Sequence, residues 1–243
     1  VTLTNYYTAS PLKERPMLTV IEDLLSKKEV TQFTQALDKG QWQDGKHTAG
    51  SQASKVKYNQ QLDDSSALAN ELRNIVIRKL SSHPLFMSAA LPSKIYPPKF
   101  NRYQGGEHYG LHVDASIMPL PNSHQMLRTD LSATLFLTEP GAYEGGELSI
   151  ETQFGLQQIK LSAGSVILYP ANSLHQVNPV NRGVRTASFF WIESLVRTND
   201  QRSTLFDLDQ SIQALTVDRG SNDPEVKRLS GVYHNLMRSW ASC

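Results

Sequence analysis

"LSATLFLTE", residues 131–139, sets Leu131, Ala133, Leu135 and Leu137 against Ser132, Thr134, Phe136 and Thr138 in strict alternation. Successive side chains of a strand point to opposite faces, so a period of two predicts a β-strand with one aliphatic face. The neighbouring segments repeat the signature. "SKIYPPKFNRYQ" and "EHYGLHVD" precede it, and "GELSIET", "GLQQIKLS", "GSVILYP", "SLHQVNPV" and "RTASFFWIES" follow. Each is short, β-branched or aromatic, and bounded by Gly, Pro or Asn. Roughly seven or eight such strands at regular spacing predict an all-β sandwich or barrel. No helical pattern interrupts them, which argues against a parallel βαβ sheet.

Outside residues 94–196 the period is helical. "SKKEVTQFTQALDKG" (26–40) carries a capping box, Ser26 with Glu29, then Val30, Phe33 and Leu37 on one face and Gly40 as a stop. "DSSALANELRNIVIRKLSSHP" (64–84) places Leu68, Leu72, Ile75, Val76 and Leu80 at helical spacing, with Pro84 past its end. Between them, residues 41–61 read as a mobile loop. After Ser194, Leu205, Leu208, Ile212 and Leu215 form one stripe. Asp223 as cap and Pro224 at the first helical position open another helix, faced by Val226, Leu229, Tyr233, Leu236, Met237 and Trp240. The chain therefore divides into a polar extension (1–16), an N-terminal helical part (17–93), a β domain (94–196) and a C-terminal helical segment (197–243). Met17 is a plausible alternative start.

Composition narrows the function. With 24 basic and 23 acidic residues in 243, there is no basic stripe of the kind that tracks nucleic acid. No apolar run approaches a membrane span. Cys243 is the single cysteine, which excludes an internal disulfide framework and any cysteine-based zinc site, and suggests a reducing cytoplasm. The apolar faces of the C-terminal helices suit packing on the β domain, with a homo-oligomer as the other option.

"YGLHVDAS" (109–116) contains His112 and Asp114 two positions apart. With seven His and 12 Asp, chance alone gives roughly 0.35 such pairs per chain, so the triplet is weak by itself. On a strand, however, both side chains share a face. His175, 61 residues after Asp114, supplies a third donor from another strand. Two imidazoles and a carboxylate on one face of an octahedron leave three positions open, as in non-haem Fe(II) oxygenases. Zinc accepts the same donors, so the set alone does not choose the metal. Arg185 decides. It lies ten residues after His175, and a hairpin around Asn181, Arg182 and Gly183 would bring it back beside that histidine. A buried arginine needs an anion, and its fork suits a carboxylate. The anion implied is the distal carboxylate of 2-oxoglutarate.

"NRYQGGEHYGLHVD", "YEGGELSI" and "LYPANSLHQVNPVNRGVRTASFFWIES" together resemble the Fe(II)- and 2-oxoglutarate-dependent dioxygenases of the prolyl 4-hydroxylase type, and more narrowly the bacterial PKHD-type hydroxylases. The resemblance runs from Met17 through the C-terminal helices. It implies a double-stranded β-helix (jelly roll) core with N-terminal helices buttressing one sheet. It implies Fe(II) on His112, Asp114 and His175, 2-oxoglutarate clasped by Arg185 with Tyr103 nearby, O2 as second cosubstrate, and ascorbate (vitamin C) as the reductant of oxidised iron. The prime substrate would be a peptidyl side chain, prolyl or lysyl by the family's name, or a small molecule. In some animal relatives a second tyrosine joins the clasp from the strand after the His-x-Asp motif; here that strand offers Phe136. Two other functions fit the same residues: a metal-dependent oxygenase or isomerase that does not use 2-oxoglutarate, and a non-catalytic iron or 2-oxoglutarate sensor. His108 and His124 are expected not to ligate, because glycines 105, 106 and 110 permit a bulge and His124 sits in a Pro-rich loop. His47, His83 and His234 are assigned no chemistry. Tyr109 is expected to be structural, "YEGGELSI" a tight turn, and the loops 44–61 and 115–130 the walls of the mouth.

Overall fold

The computed structural model describes residues 18–48 and 53–242. The extension expected over 1–16, the start at Met17 and Cys243 lie outside the described residues. The alternating segment forms the strand Leu131–Phe136. It lies inside a nine-stranded sheet, whose main path runs Thr19–Ile21, Val166–Pro170, Leu131–Phe136, Val180–Ser194, Lys99–Gln104, Gln60–Leu62, Trp42–Asp44 among the described residues. Tyr143–Gly145 and Pro92–Ile95 also pair with Val180–Ser194. A second sheet of five strands runs Gly155–Ile159, Leu148–Thr152, His175–Val177, His108–His112, Lys57–Tyr58. Ile117–Pro119 and Met126–Arg128 form a separate hairpin. The two large sheets share a core in which Tyr103, Phe136 and Tyr169 of one meet Leu148, Ile150 and Val177 of the other. Antiparallel sheets packed this way, with strands that cross between them, make the jelly roll, a double-stranded β-helix.

Five helices flank this core among the described residues: α1 (Lys27–Leu37), α2 (Ala67–Ser81), α3 (Pro84–Ala90), α4 (Asn199–Arg219) and α5 (Pro224–Trp240). The capping box of α1 is present, Ser26 Oγ accepting from the Glu29 N–H and Glu29 accepting from the Ser26 N–H. Lys79 of α2 pairs with the same carboxylate and, as its largest influence, holds it down to about pKa 2. Phe33, Leu37, Leu72, Val76, Leu80 and Phe86 pack onto Phe100, Leu135, Leu168 and Phe190 of the large sheet. The N-terminal helices thus buttress one sheet. Pro84, expected only to end α2, opens α3: its fixed φ and missing N–H suit a first helical position. The described residues of 41–61 form short strands and turns rather than one mobile loop. Trp42–Asp44 and Gln60–Leu62 extend the large sheet, and Lys57–Tyr58 edges the small one, so main-chain pairing holds this polar stretch where periodicity gave no signal.

The aliphatic face of Leu131–Phe136 meets the helices, and Phe136 meets the inter-sheet core. Ser132 and Thr134 line a cavity between the sheets. The polar face of this strand is therefore the wall of a site and not a wet surface. At the C-terminal end, Tyr233, Leu236, Met237 and Trp240 of α5 pack against Leu91, Val196 and Leu205, so the apolar face of this helix is used within the chain.

Phe100 is fully buried at the helix–sheet junction, its ring 6.4 Å from that of Phe33. Phe100→Ala should lower stability by about 3–5 kcal/mol, measured as the loss in unfolding free energy in urea. A loss below about 1 kcal/mol would mean that this junction does not carry the core.

Candidate metal centre

His112 and His175 come from neighbouring strands of the small sheet and are direct partners in its register. The strand ends at His112, so Asp114 stands two residues past it, outside regular structure. Alternation persists nonetheless. Leu111 and Val113 are half exposed, at 46% and 49%, while the side chains of His112 and Asp114 turn inward. The three donors converge: His112 Nε2 lies 3.9 Å from Asp114 Oδ1, and His175 Nε2 lies 3.7 Å from Asp114 Oδ2. One donor atom from each lies within 4.8 Å of the others, a spacing at which the group could hold one ion.

Backbone carbonyls set the histidine tautomers. His112 Nδ1 is 2.7 Å from Gly110 O, and His175 Nδ1 is 3.0 Å from Ser173 O. A carbonyl only accepts, so each Nδ1 carries a proton and each Nε2 is turned towards Asp114. Burial, and then the neighbouring His175, push the His112 imidazole down to about pKa 4, against the opposing pulls of the Gly110 carbonyl and Asp114. It is a neutral donor at neutral pH. The Asp114 carboxylate is held in turn by Ser132, whose hydroxyl donates to Oδ2 at 2.6 Å.

Arg185 reaches the cavity by a different route from the expected hairpin. Asn181, Arg182 and Gly183 lie within the strand Val180–Ser194, and the chain turns earlier, at Asn178 and Pro179. The turn carries the chain from the small sheet into the large one. Arg185 therefore faces the histidines from the opposite sheet. It is 1% exposed, and its Nε and Nη2 have no hydrogen-bond partner among the described residues. The guanidinium lies 5.3 Å from the ring centres of both Tyr103 and Phe136. Gly146, at φ +68°, leaves room for it: a Cβ there would stand 3.1 Å from Arg185 Cδ. Of the two glycines of "YEGGELSI", both at positive φ, Gly145 ends the strand Tyr143–Gly145 and Gly146 stands in the short link to Leu148–Thr152, so a brief connection replaces the tight turn expected. Tyr103 is fully buried beside Arg185 in register and accepts a hydrogen bond from Asn101 Nδ2 at 3.1 Å. Burial, partly offset by Arg185, raises its phenol to about pKa 12, so it stays protonated.

The cavity has a volume of about 670 Å3 and joins His112, Asp114, His175, Tyr103 and Arg185 along one wall system. Phe189, Trp191, Leu111, Val113 and Met118 line it as well. Of the predicted mouth loops, 44–61 contributes Val56 and Lys57, and 115–130 contributes Ala115 and Met118. Sequence reasoning missed several residues here. Tyr109 stacks on His112 with ring centres 3.7 Å apart, because a register shift between the two strands lets residues 109 and 112 share the inner face. Tyr143 brings a buried hydroxyl beside Arg185, from a strand distant in sequence. Lys57 is 3% exposed, between the rings of Tyr109 and Phe189. The alternation at 131–139 was the one available signal for Ser132. His108 packs on Tyr58 instead, outside the group, and His124 is exposed.

Residues 98–193 match the family described as the 2OG-Fe(II) oxygenase superfamily, and residues 199–242 match the PKHD-type hydroxylase C-terminal domain. The chain is 88% identical over 227 residues to a PKHD-type hydroxylase of Pseudoalteromonas atlantica (strain T6c), covering 93% of this chain and 100% of that one. It is 58% identical over 225 residues to a PKHD-type hydroxylase of Acidovorax ebreus (strain TPSY), covering 93% and 99%. Among solved structures, a prolyl hydroxylase from Trichoplax adhaerens in complex with a hypoxia inducible factor peptide fragment superposes with a TM-score of 0.53 at 15% identity, over 78% of this chain and 87% of that one. That likeness concerns the fold alone. No described helix is long and apolar enough to cross a membrane.

Burial, and then Lys99, lower the Lys57 ammonium from 10.5 to about 8, against the pull of Asp64 and Asp114. Between these values the unfolded chain holds more protons than the folded one, so stability rises with pH through that window. Below pH 8 the full cost of burying the charge is present. Relative to Lys57→Met, the wild type should therefore gain stability between pH 8 and 10.5, followed as urea midpoints. A difference that stays flat across the window would show that this ammonium is solvated in solution.

Proposed function

Because the chain belongs to the PKHD-type hydroxylases, a family of 2-oxoglutarate- and Fe(II)-dependent dioxygenases, we propose that His112, Asp114 and His175 hold its iron and that Arg185 clasps the distal carboxylate of 2-oxoglutarate. One observation carries this reading: a fully buried guanidinium, with N–H groups unpartnered among the described residues, faces a His–Asp–His group across one cavity. Leaving such donors unsatisfied is costly, and a dianionic ligand answers that cost. The donor set fits the metal, since two imidazoles and a carboxylate suit Fe(II) and leave positions for a chelating keto acid and O2. Bound iron supplies O2 activation coupled to decarboxylation of 2-oxoglutarate to succinate and CO2, and so the oxidising power to hydroxylate a C–H bond.

The protein's own part is orientation and shielding. Arg185 and the protonated Tyr103 fix the cosubstrate's far end by charge and hydrogen bonding. The Gly110 and Ser173 carbonyls keep both imidazoles in the ligating tautomer. Tyr109 and Tyr169 flank the histidines and keep water from their outer faces. The prime substrate is a peptidyl side chain or a small molecule that enters between Leu111, Val113 and Met118 on one side and Phe189 and Trp191 on the other. Ascorbate as a reductant and a cytoplasmic setting complete the reading, supported by the family resemblance and by the scarcity of cysteine.

The test is an anaerobic titration of the Fe(II)-loaded protein with 2-oxoglutarate, followed by the visible metal-to-keto-acid charge-transfer band. Wild type should develop the band and His175→Ala should not. Arg185→Ala should need at least about thirtyfold more 2-oxoglutarate, as truncating one partner of a buried charge pair costs on the order of 2 kcal/mol or more. A half-saturation unchanged in Arg185→Ala would remove the clasp from the proposal. Iron binding with no band in wild type would leave a metal-binding jelly roll that does not use 2-oxoglutarate.

A further inference from the structure

We propose that Ser132 is a positioning residue for the metal centre: its hydroxyl holds one oxygen of Asp114 so that the carboxylate meets the metal through a single oxygen. The inference rests on the His112–Asp114–His175 assignment made above.

Three features of the fold lead to it. First, Asp114 is the least restrained of the three donors. The histidines sit on paired strands, whereas Asp114 lies between the end of one strand at His112 and the start of the hairpin at Ile117. Its segment is anchored just downstream, where Thr129 Oγ1 donates to Ala115 O at 2.6 Å and Thr129 N donates to Ser116 O at 3.0 Å. Those bonds fix the backbone and leave the carboxylate free to turn. Second, its two oxygens face different histidines, Oδ1 towards His112 and Oδ2 towards His175. A carboxylate so placed could present both oxygens to one ion. Third, Ser132 stands opposite on a strand that cannot give way. It is 2% exposed and paired on both sides, with Tyr169 and with Trp191. Its hydroxyl donates to Oδ2 at 2.6 Å, a short charge-assisted bond.

Coordination number gives this bond its meaning. Six positions around an octahedral ion take two imidazoles, one carboxylate oxygen, two atoms of a chelating keto acid and one further ligand. A second Asp114 oxygen would take that last position. By drawing on the electron density of Oδ2, Ser132 weakens that oxygen as a donor and turns the carboxylate to a one-oxygen pose. Partners of this kind, which act on a ligand and not on the metal, typically change metal affinity or activity by about 10–100-fold.

Ser132→Ala tests the bond. Ser132→Thr and Ser132→Val form an isosteric pair that separates the hydroxyl from packing. Each full-length protein is loaded anaerobically with excess Fe(II) and 2-oxoglutarate, then titrated with nitric oxide as a stand-in for O2. The iron–nitrosyl signal is read by electron paramagnetic resonance. Wild type and Ser132→Thr should saturate alike, whereas Ser132→Ala and Ser132→Val should need at least about tenfold more nitric oxide. Loss of iron from Ser132→Val with retention in Ser132→Thr would also support the proposal, since it assigns the carboxylate's pose to the hydroxyl. Equal behaviour of Ser132→Thr and Ser132→Val overturns it, whether both resemble wild type or both are impaired. The two readings fail separately: absence of the charge-transfer band in wild type sinks the iron and 2-oxoglutarate assignment, whereas a wild-type band with an unresponsive Thr/Val pair sinks only the role of Ser132.

Discussion

The strand Val180–Ser194 is paired along both edges, and most of the molecule is arranged by that fact. Leu131–Phe136 takes one side, while Lys99–Gln104 and Pro92–Ile95 share the other. Its first residues pair with Tyr143–Gly145. Because side chains alternate, this single strand feeds two environments at once. Phe190 and Ile192 go to the helices, whereas Arg185, Phe189 and Trp191 line the cavity. A one-residue slip would exchange the two sets, turning Phe190 and Ile192 away from the helices and moving the guanidinium out of the cavity to the half-exposed face of Val184 and Thr186. The strand's register is thus set by the burial of its apolar side chains.

The gap between the sheets then defines the site. The small sheet contributes the two histidines, and the large sheet contributes Tyr103 and Arg185. The sheets pack through a core of their own, built from Leu148, Ile150 and Val177 against Phe136 and Tyr169. Distances across the cavity are fixed by that packing, not by loops. Only Asp114 departs from the pattern, which is why its carboxylate depends on a hydroxyl from the facing sheet.

The parts of the molecule that were legible in the sequence are those with a period or a punctuating residue. The strands from 94 to 194, the capping box at Ser26 and Glu29, and the Asp223–Pro224 helix start all left local signals. The His-x-Asp…His…Arg spacing was readable because all four side chains turn inward, Asp114 included, although it stands two residues past the end of its strand. Residues 41–61 were not readable. Their strands are two or three residues long and polar, and they exist because a neighbouring edge is there to pair with them. The route of Arg185 was misread for a related reason: Asn181, Arg182 and Gly183 look like a turn, yet Gly183 at φ +76° serves a close approach to Ala142 and Tyr143 inside a strand. Tyr109 reads as structural in the sequence and is brought to His112 by a register shift, whereas Tyr143 arrives through a long-range contact that leaves no trace in local sequence.

The two histidines lie 63 positions apart in the chain and become neighbours only when the small sheet has formed. An unfolded chain has no such constellation, so a cation held by these donors binds the native form alone. Each tenfold rise in free metal above its dissociation constant then deepens the native well by about 1.4 kcal/mol. Resistance to unfolding, and with it to proteolysis, becomes a function of metal supply. Through this coupling, a shortage of the ion would reduce the amount of the protein as well as its occupancy.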